Sequence, residues 1–414
     1  MTKRIFYGWR VVAALGVVLI LGTASAFYTA SVFLEPIEHA LGWTRTHISL
    51  GFTIAALTSA AMSPLIGLAI YSIGARKVLV AGSIAIGLAL TLLSQIQQLW
   101  HYYILMPVMA YGISSTGILT CTSCVSNWFD KRRGTATGIV FAASGTGGMV
   151  MVFVASQAVE RIGWRSTYML LGTILFIIVL PVILIVIRNK PEEMGLEPDG
   201  GRGANGTMAE SPTGISLNLG EAVKTLPFWL MTLLMLCYGF TFGSMTQHAI
   251  ALLRSQGVGE PSLFWSLTLG ISVLGRLTFG ASADRFSKKS LIAIAWVFHF
   301  VGLASALILP DFLPLIFAFA LFYGAGQGGF STVFPVQLGE LFGTAHFSKL
   351  YGTILLFQAI GFSIGTVFFG RIFDITHSYT LAVQAVIVVA LFCILVATII
   401  QHPKARPTLQ AGET

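Results

Sequence analysis

Long apolar stretches dominate this chain and rule out a fold that is exposed mainly to water. Of its 414 residues, 55% are hydrophobic and only 10% are charged, whereas soluble domains carry about a quarter charged residues. A bilayer core about 30 Å thick needs roughly 20 apolar residues per crossing helix, and most of the chain divides into stretches of that length. Transmembrane β-strands would show shorter, alternating segments. The sequence therefore predicts an all-α membrane protein.

Twelve transmembrane helices are predicted, and one long polar segment separates the sixth from the seventh. This segment, residues 188–226, contains prolines, glycines and several acidic residues, a composition typical of a flexible linker. We expect an N-terminal six-helix half (1–187), a cytoplasmic linker (188–226) and a C-terminal six-helix half (227–414). The predicted spans are 11–34, 48–72, 78–97, 102–126, 134–157, 166–187, 227–253, 262–283, 290–309, 313–337, 350–373 and 378–400.

The positive charges are distributed unevenly between the two sides of this topology. Most of the 24 Lys and Arg residues fall in loops on one side, and Arg45 is among the few on the other. Because cytoplasmic loops collect Lys and Arg, we expect both termini in the cytoplasm and the chain in the cell inner (plasma) membrane. The net charge of +8 follows from this bias, so we expect the lipid bilayer and no nucleic acid as a partner.

The two predicted halves resemble each other where their second spans end. GLAIYSIGARK (67–77) follows span two, and GASADRFSKK (280–289) follows span eight. This parallel repeat resembles the major facilitator architecture, in which the substrate site lies at the midplane between the halves. The resemblance implies a major facilitator fold that works by alternating access.

Arg276 is the charged residue placed deepest within a predicted span. It lies eight residues before Asp284, or about 12 Å from the end of the helix, and the sixteen Asp and Glu residues all fall in loops or at span ends. A central Arg costs roughly 2.5–3.5 kcal/mol on insertion. We interpret it as an anchor for a substrate carboxylate, which the guanidinium group can bind with two parallel hydrogen bonds. The alternative is an Arg that reaches towards Asp284 or caps backbone carbonyls.

Several tyrosines and two histidines are weaker candidates. The tyrosines lie in spans one, four, seven, ten and eleven, where a substrate could satisfy their hydroxyl groups, although ordinary helix packing is the alternative. Histidine as a residue type titrates near neutral pH, so His248 and His299 could relay protons, or each could be hydrogen-bonded locally. The tyrosines are Tyr28, Tyr111, Tyr238, Tyr323 and Tyr351.

Metal, cofactor and enzyme chemistry are not expected. The four cysteines lie in apolar stretches and are interpreted as small thiols packed between helices. The sequence contains no His-x-x-x-His pattern and no paired carboxylates within a span. A cation-exporting or sugar carrier is disfavoured as well, because the interior lacks an acidic residue and is sparse in Asn, Gln and Trp.

Two motifs give a family resemblance. Residues 128–138 (WFDKRRGTATG) resemble the signature of monocarboxylate transporters between loop four and span five, and residues 7–9 (YGW) resemble their N-terminal motif. The same motifs resemble the bacterial oxalate/formate exchanger, in which an Arg on span eight and a Lys on span eleven are assigned to the dicarboxylate. Arg276 matches the first of these residues, whereas Gln358 stands in place of the second. The resemblance therefore implies a monocarboxylate substrate.

The chain departs from the animal carriers at the residues that imply their proton site. Ser272 stands where they have an Asp, and span one lacks their Lys. Coupling would then use His248, a carboxylate such as Asp284, or the carboxyl group of the substrate. We expect proton symport of L-lactate, pyruvate or a similar acid; an organic-anion exchanger and a carrier of another solute class are the alternatives. The expected substrate-binding residues are Arg276, Tyr28, Tyr111, Tyr323, Phe357 and Gln358, with Phe141 and Phe330 as further apolar walls.

Overall fold

A computed structural model describes residues 6–129, 132–198, 217–283, 285–308, 312, 314–343 and 346–400. The regular elements of this part of the chain are all helices. Ten of them are long and apolar enough to cross a membrane, and one of these, Thr135–Val186, is divided by non-helical backbone at Gly163 (φ 78°). The helix over 315–342 is a further span. The predicted twelve-helix architecture is confirmed.

The helices are numbered in chain order. We refer to α1–α6 as the first half and α7–α12 as the second half. The segment 188–226 is described only near its two ends, where a short 3₁₀ helix (Pro191–Met194) and a helical turn (Leu219–Ala222) lie, so the predicted domain boundaries stay predictions. The bounds are α1 Tyr7–Leu41, α2 Arg45–Ile73, α3 Ala75–Leu93, α4 Leu99–Trp128, α5 133–162, α6 164–186, α7 Leu226–Ser255, α8 Pro261–Ala283, α9 Lys288–Ile308, α10 315–342, α11 Phe347–Thr376 and α12 Thr380–Ile399.

Several helices extend further than the sequence predicted. Span one was predicted to end at 34, but α1 continues to Leu41 and carries Glu35 and Glu38 on its last turns. Arg45, predicted in a loop, is the first residue of α2 and is only 5% exposed. We refer to the end of the bundle that contains the α1–α2 and α11–α12 turns as the Arg45 end.

Glycine allows α7 and α11 to pack backbone against backbone. A Cβ atom added at Gly361 of α11 would overlap the carbonyl oxygen of Leu236, and one added at Gly239 of α7 would overlap the carbonyl oxygen of Gln358. Small residues serve this purpose in membrane helices, where no hydrophobic effect drives association and packing must supply the attraction. This pair forms the core of the second half.

The two halves meet mainly along three helix pairs, α2 with α11, α5 with α8 and α1 with α7. At Gly370 of α11 an added Cβ would come within 3.0 Å of the Arg45 backbone, and at Gly145 of α5 it would overlap the side chain of Val273 on α8. The α5–α8 contact also brings α5 against Arg276. Close contact between the halves therefore surrounds the residue that the sequence singled out.

We expect Gly361→Ala to lower the thermal stability of the purified protein by about 1–3 kcal/mol, because the added methyl group must push α11 away from α7. Gly352→Ala, on the same helix but with no atom within 4 Å of the added Cβ, is the matched control and should be neutral or slightly stabilising. The measurement is unfolding followed with a thiol-reactive dye, which suits a chain whose four cysteines are buried. Equal melting temperatures would contradict this account of the packing.

Candidate functional site

Arg276 lies on α8 where that helix contacts α5. Its Nη1 atom is 3.7 Å from the position that a Cβ atom of Gly145 would occupy, so the guanidinium group lies next to the backbone of α5. The residue is half-buried, and its buried Nε has no hydrogen-bond partner among the described residues. A buried donor left without a partner costs about 1–3 kcal/mol. The predicted intrahelical partner, Asp284, lies outside the described residues.

Polar side chains from several helices lie around Tyr238, and Arg276 is one of them. The Tyr238 phenol on α7 is beside the amide of Gln327 on α10, and Arg276, Tyr28 and Tyr351 lie within its electrostatic range. Tyr238 and Gln327 are both buried. The structure thus brings one cation and a set of neutral hydrogen-bonding groups together from five helices. Sequence reasoning missed Gln327, although a lone amide in the glycine-rich run GAGQGG was a signal.

Aromatic rings lie next to this polar cluster. Tyr28 packs against Gly148 of α5, where an added Cβ would be 3.0 Å from the ring. The neighbouring Phe27 contacts Phe242 of α7 and Phe362 of α11, with ring centroids 6.0 Å apart in both cases. Rings from both halves therefore meet beside Tyr28.

The remaining predicted residues lie at different depths. Tyr323 is fully buried inside the second half, with its hydroxyl 3.5 Å from the carbonyl oxygen of Thr241. Tyr111 is 36% exposed, and Phe357 packs against Trp229 near the start of α7. Gln358 is half-buried and makes no side-chain hydrogen bond to a described residue. The structure describes no contact of Tyr111 or Phe357 with Arg276, and their roles stay predictions.

His248 is buried at the Arg45 end and is hydrogen-bonded through both ring nitrogens. Nε2 lies 3.0 Å from the carbonyl oxygen of Thr366 and 3.1 Å from Oγ of Ser49, and Nδ1 lies 3.0 Å from the hydroxyl of Tyr379. A carbonyl oxygen only accepts, so Nε2 carries a proton. When Nδ1 is unprotonated, the ring is neutral and accepts a hydrogen bond from the Tyr379 hydroxyl.

Arg45 is the centre of a network that joins the two halves. It donates from Nε to Glu38 (2.9 Å), from Nη2 to Glu35 (3.4 Å) and from Nη1 to the Tyr379 hydroxyl (2.5 Å). Its guanidinium also lies 3.6 Å from the centre of the Phe373 ring, a cation–π contact. The acidic partners belong to α1, whereas the aromatic partners belong to the second half.

Two further links cross between the halves at this end. The backbone amides of Arg45 and Thr46 donate to the carboxylate of Asp374 on α11, so an acid from one half caps the positive N-terminus of a helix in the other. Arg254 of α7 forms an ion pair with Glu35. Burial raises the pKa of Tyr379, against the opposing effect of Arg45, and the phenol therefore stays a neutral donor and acceptor.

We expect Arg45→Ala to destabilise the protein far more than Arg254→Ala. Arg45 is buried, and removing one partner of a buried ion pair costs about 3–5 kcal/mol because the other charges remain uncompensated. The Arg254 side chain is 51% exposed, and a solvated pair contributes about 1 kcal/mol or less. Melting temperatures of the two variants in the same detergent check this order. Equal losses would show that burial does not decide the contribution of each pair.

Comparison with known proteins gives consistent matches over most of the chain. The family model described as Major Facilitator Superfamily matches residues 13–312. An uncharacterized MFS-type transporter of Escherichia coli, YhjX, is 25% identical over 89% of this chain and 88% of its own length. Monocarboxylate transporter 12 of Rattus norvegicus is 24% identical over 91% and 82%, respectively. The oxalate:formate antiporter of Oxalobacter formigenes is 23% identical over 82% and 78%.

Proposed function

The chain belongs to the major facilitator superfamily and is a multi-pass membrane transporter, and we propose that it carries small monocarboxylates such as L-lactate or pyruvate by proton symport. The observation that carries this proposal is Arg276, a half-buried guanidinium between the halves whose Nε has no partner among the described residues. A single buried cation is balanced by a single carboxylate. A carboxylate bound there would accept the hydrogen bonds that Arg276 does not make within the described part of the chain.

The groups around Arg276 support a small and partly polar substrate. Tyr28, Tyr238 and Gln327 offer hydroxyl and amide groups that can pair with a hydroxyl or keto oxygen, and the nearby phenylalanine rings restrict the length of the carbon chain. Gln358 supports one carboxylate rather than two, because it provides no second positive charge. These features favour a short monocarboxylate.

Transport follows if binding changes the energy of closing the site. An empty Arg276 is costly to enclose in a dry cavity, and a bound carboxylate lowers that cost by neutralising it. The halves can then rearrange around the bound substrate and expose it to the other side. We place the termini in the cytoplasm of an inner (plasma) membrane from the Lys and Arg bias, which makes the Arg45 end the outer one.

An organic-anion exchanger is the second candidate. The similarity to the oxalate:formate antiporter of Oxalobacter formigenes favours it, and such a protein would use the same Arg276 without a net proton movement. Accumulation driven by a proton gradient distinguishes the two functions, because an exchanger responds to an anion on the opposite side instead.

We expect Arg276→Gln to reduce L-lactate uptake into proteoliposomes at least tenfold, since losing one charge-assisted contact in a desolvated site costs about 1.5–3 kcal/mol. Arg161→Gln is the control, because Arg161 is exposed in the last turn of α5, away from Arg276. Both variants must show a wild-type melting curve. Normal lactate uptake by Arg276→Gln would exclude the anchor role, and no uptake by folded wild type would exclude lactate as the cargo.

We expect His248→Gln to abolish lactate accumulation driven by an acid gradient while leaving lactate exchange at equal pH. A proton on Nδ1 of His248 would replace the hydrogen bond that this nitrogen accepts from Tyr379 and would add a positive charge, which a neutral glutamine cannot do. His299→Gln is the matched control, because His299 is equally buried but bonds to its own helix at Ala295. Gradient-driven accumulation by His248→Gln would contradict a coupling role.

A further inference from the structure

We propose that Glu35 is a proton-binding residue whose protonation releases the Arg45 end, so that acid opens this end of the transporter. This opening of the contact between the halves does not depend on which substrate is transported, and it goes beyond the function proposed above. It is carried by the position of one carboxylate between two arginines that belong to different halves.

Glu35 contacts a cation of each half through a different oxygen. Its Oε1 is 3.4 Å from Nη2 of Arg45, which follows it in the first half, and its Oε2 is 2.5 Å from Nη1 of Arg254 on α7. The Glu35 side chain is only 12% exposed, whereas that of Arg254 is 51% exposed. Glu35 is therefore fixed in α1, and the Arg254 side of the pair is the one that can separate.

Separation of the halves changes the charge balance around Glu35. The first half keeps Glu35, Glu38 and Arg45, so that two carboxylates share one guanidinium after Arg254 has moved away with α7. A proton on Glu35 restores a one-to-one pairing, and the same proton removes the charge that holds Arg254. Because the proton and Arg254 compete for one carboxylate, acid must shift the equilibrium towards the separated state.

A cavity gives protons a route to this carboxylate. It has a volume of 220 Å³ and lies between α1, α5 and α7 at the Arg45 end, where both Glu35 and Arg254 line it. A proton can therefore reach Glu35 from this end without crossing the apolar interior.

The other titratable groups around Glu35 are arranged differently. Asp374 of α11 is held by the backbone amides at the start of α2, and Glu38 pairs with Arg45 of its own half. Glu160 of α5 lines the cavity but is exposed, as is His39, one turn beyond Glu35 on α1. His248 and Tyr379 reach Glu35 only through Arg45. Among these described groups, Glu35 is the acid whose side chain pairs with a cation of the other half.

The experiment measures the distance across the Arg45 end directly. Spin labels are attached at His47→Cys on α2 and Ile375→Cys on α11, which are exposed positions in different halves, and the protein is placed in lipid nanodiscs without substrate. The native cysteines are buried, and the unsubstituted protein measures their background labelling. Pulsed electron–electron double resonance at pH 7.5 and pH 4.0 then gives the ratio of open to closed distances.

We expect acid to raise the ratio of open to closed distances in the protein that carries only the two spin labels. Glu35→Gln should raise this ratio about fivefold at pH 7.5, which is the effect of losing one partly solvated ion pair. Glu35→Gln should also lose the further response to acid. Glu160→Gln, which removes a carboxylate from the same cavity but no ion pair among the described residues, should behave as the parent.

Three outcomes would overturn the proposal. The first is an open-to-closed ratio that does not rise with acid in the labelled protein without further substitution. The others are a ratio in Glu35→Gln at pH 7.5 no higher than in that protein, or a rise in Glu160→Gln equal to that in Glu35→Gln. A retained closed-distance peak shows that each variant is folded. Because His47 is replaced in every sample, a persisting acid response excludes that histidine as the sensor. No substrate is present, so an error in the proposed cargo leaves this result unaffected.

Discussion

The absence of water from the bilayer core is the constraint on which the rest of this structure depends. Backbone amides and carbonyls must pair within the chain there, and a helix is the element that satisfies them locally. Helix association then relies on close packing, which explains why Gly239 and Gly361 permit backbone contact between α7 and α11. The same constraint makes every buried charge costly, so the few that occur deserve a specific explanation.

Arg45 and Arg276 meet that cost in opposite ways. Arg45 is surrounded by two carboxylates, a phenol and an aromatic ring, and its charge is compensated within the protein. Arg276 has a buried Nε without a partner in the described part of the chain. The arrangement around Arg45 suits a contact that holds the halves together, and that around Arg276 suits a site that can bind an anion.

The two regions are also connected by the helices that carry them. Residues of α1, α7 and α11 take part both in the network around Arg45 and in the cluster around Arg276, through Tyr28, Tyr238 and Tyr351 in the second case. A rearrangement of these helices at one region therefore changes the geometry of the other. This gives a physical basis for coupling between binding and gating that needs no additional element.

By itself the sequence determined the number of spans, the helical class and the unusual position of Arg276, because these depend on local hydrophobicity and on a charge within an apolar stretch. It could not determine that Arg45, taken for a loop residue, would be buried beside Tyr379, since those positions are brought together only when α2 packs against α11. Gln327 likewise acquires a role only beside Tyr238. Contacts between distant segments depend on how the helices pack, and only the tertiary structure decides that.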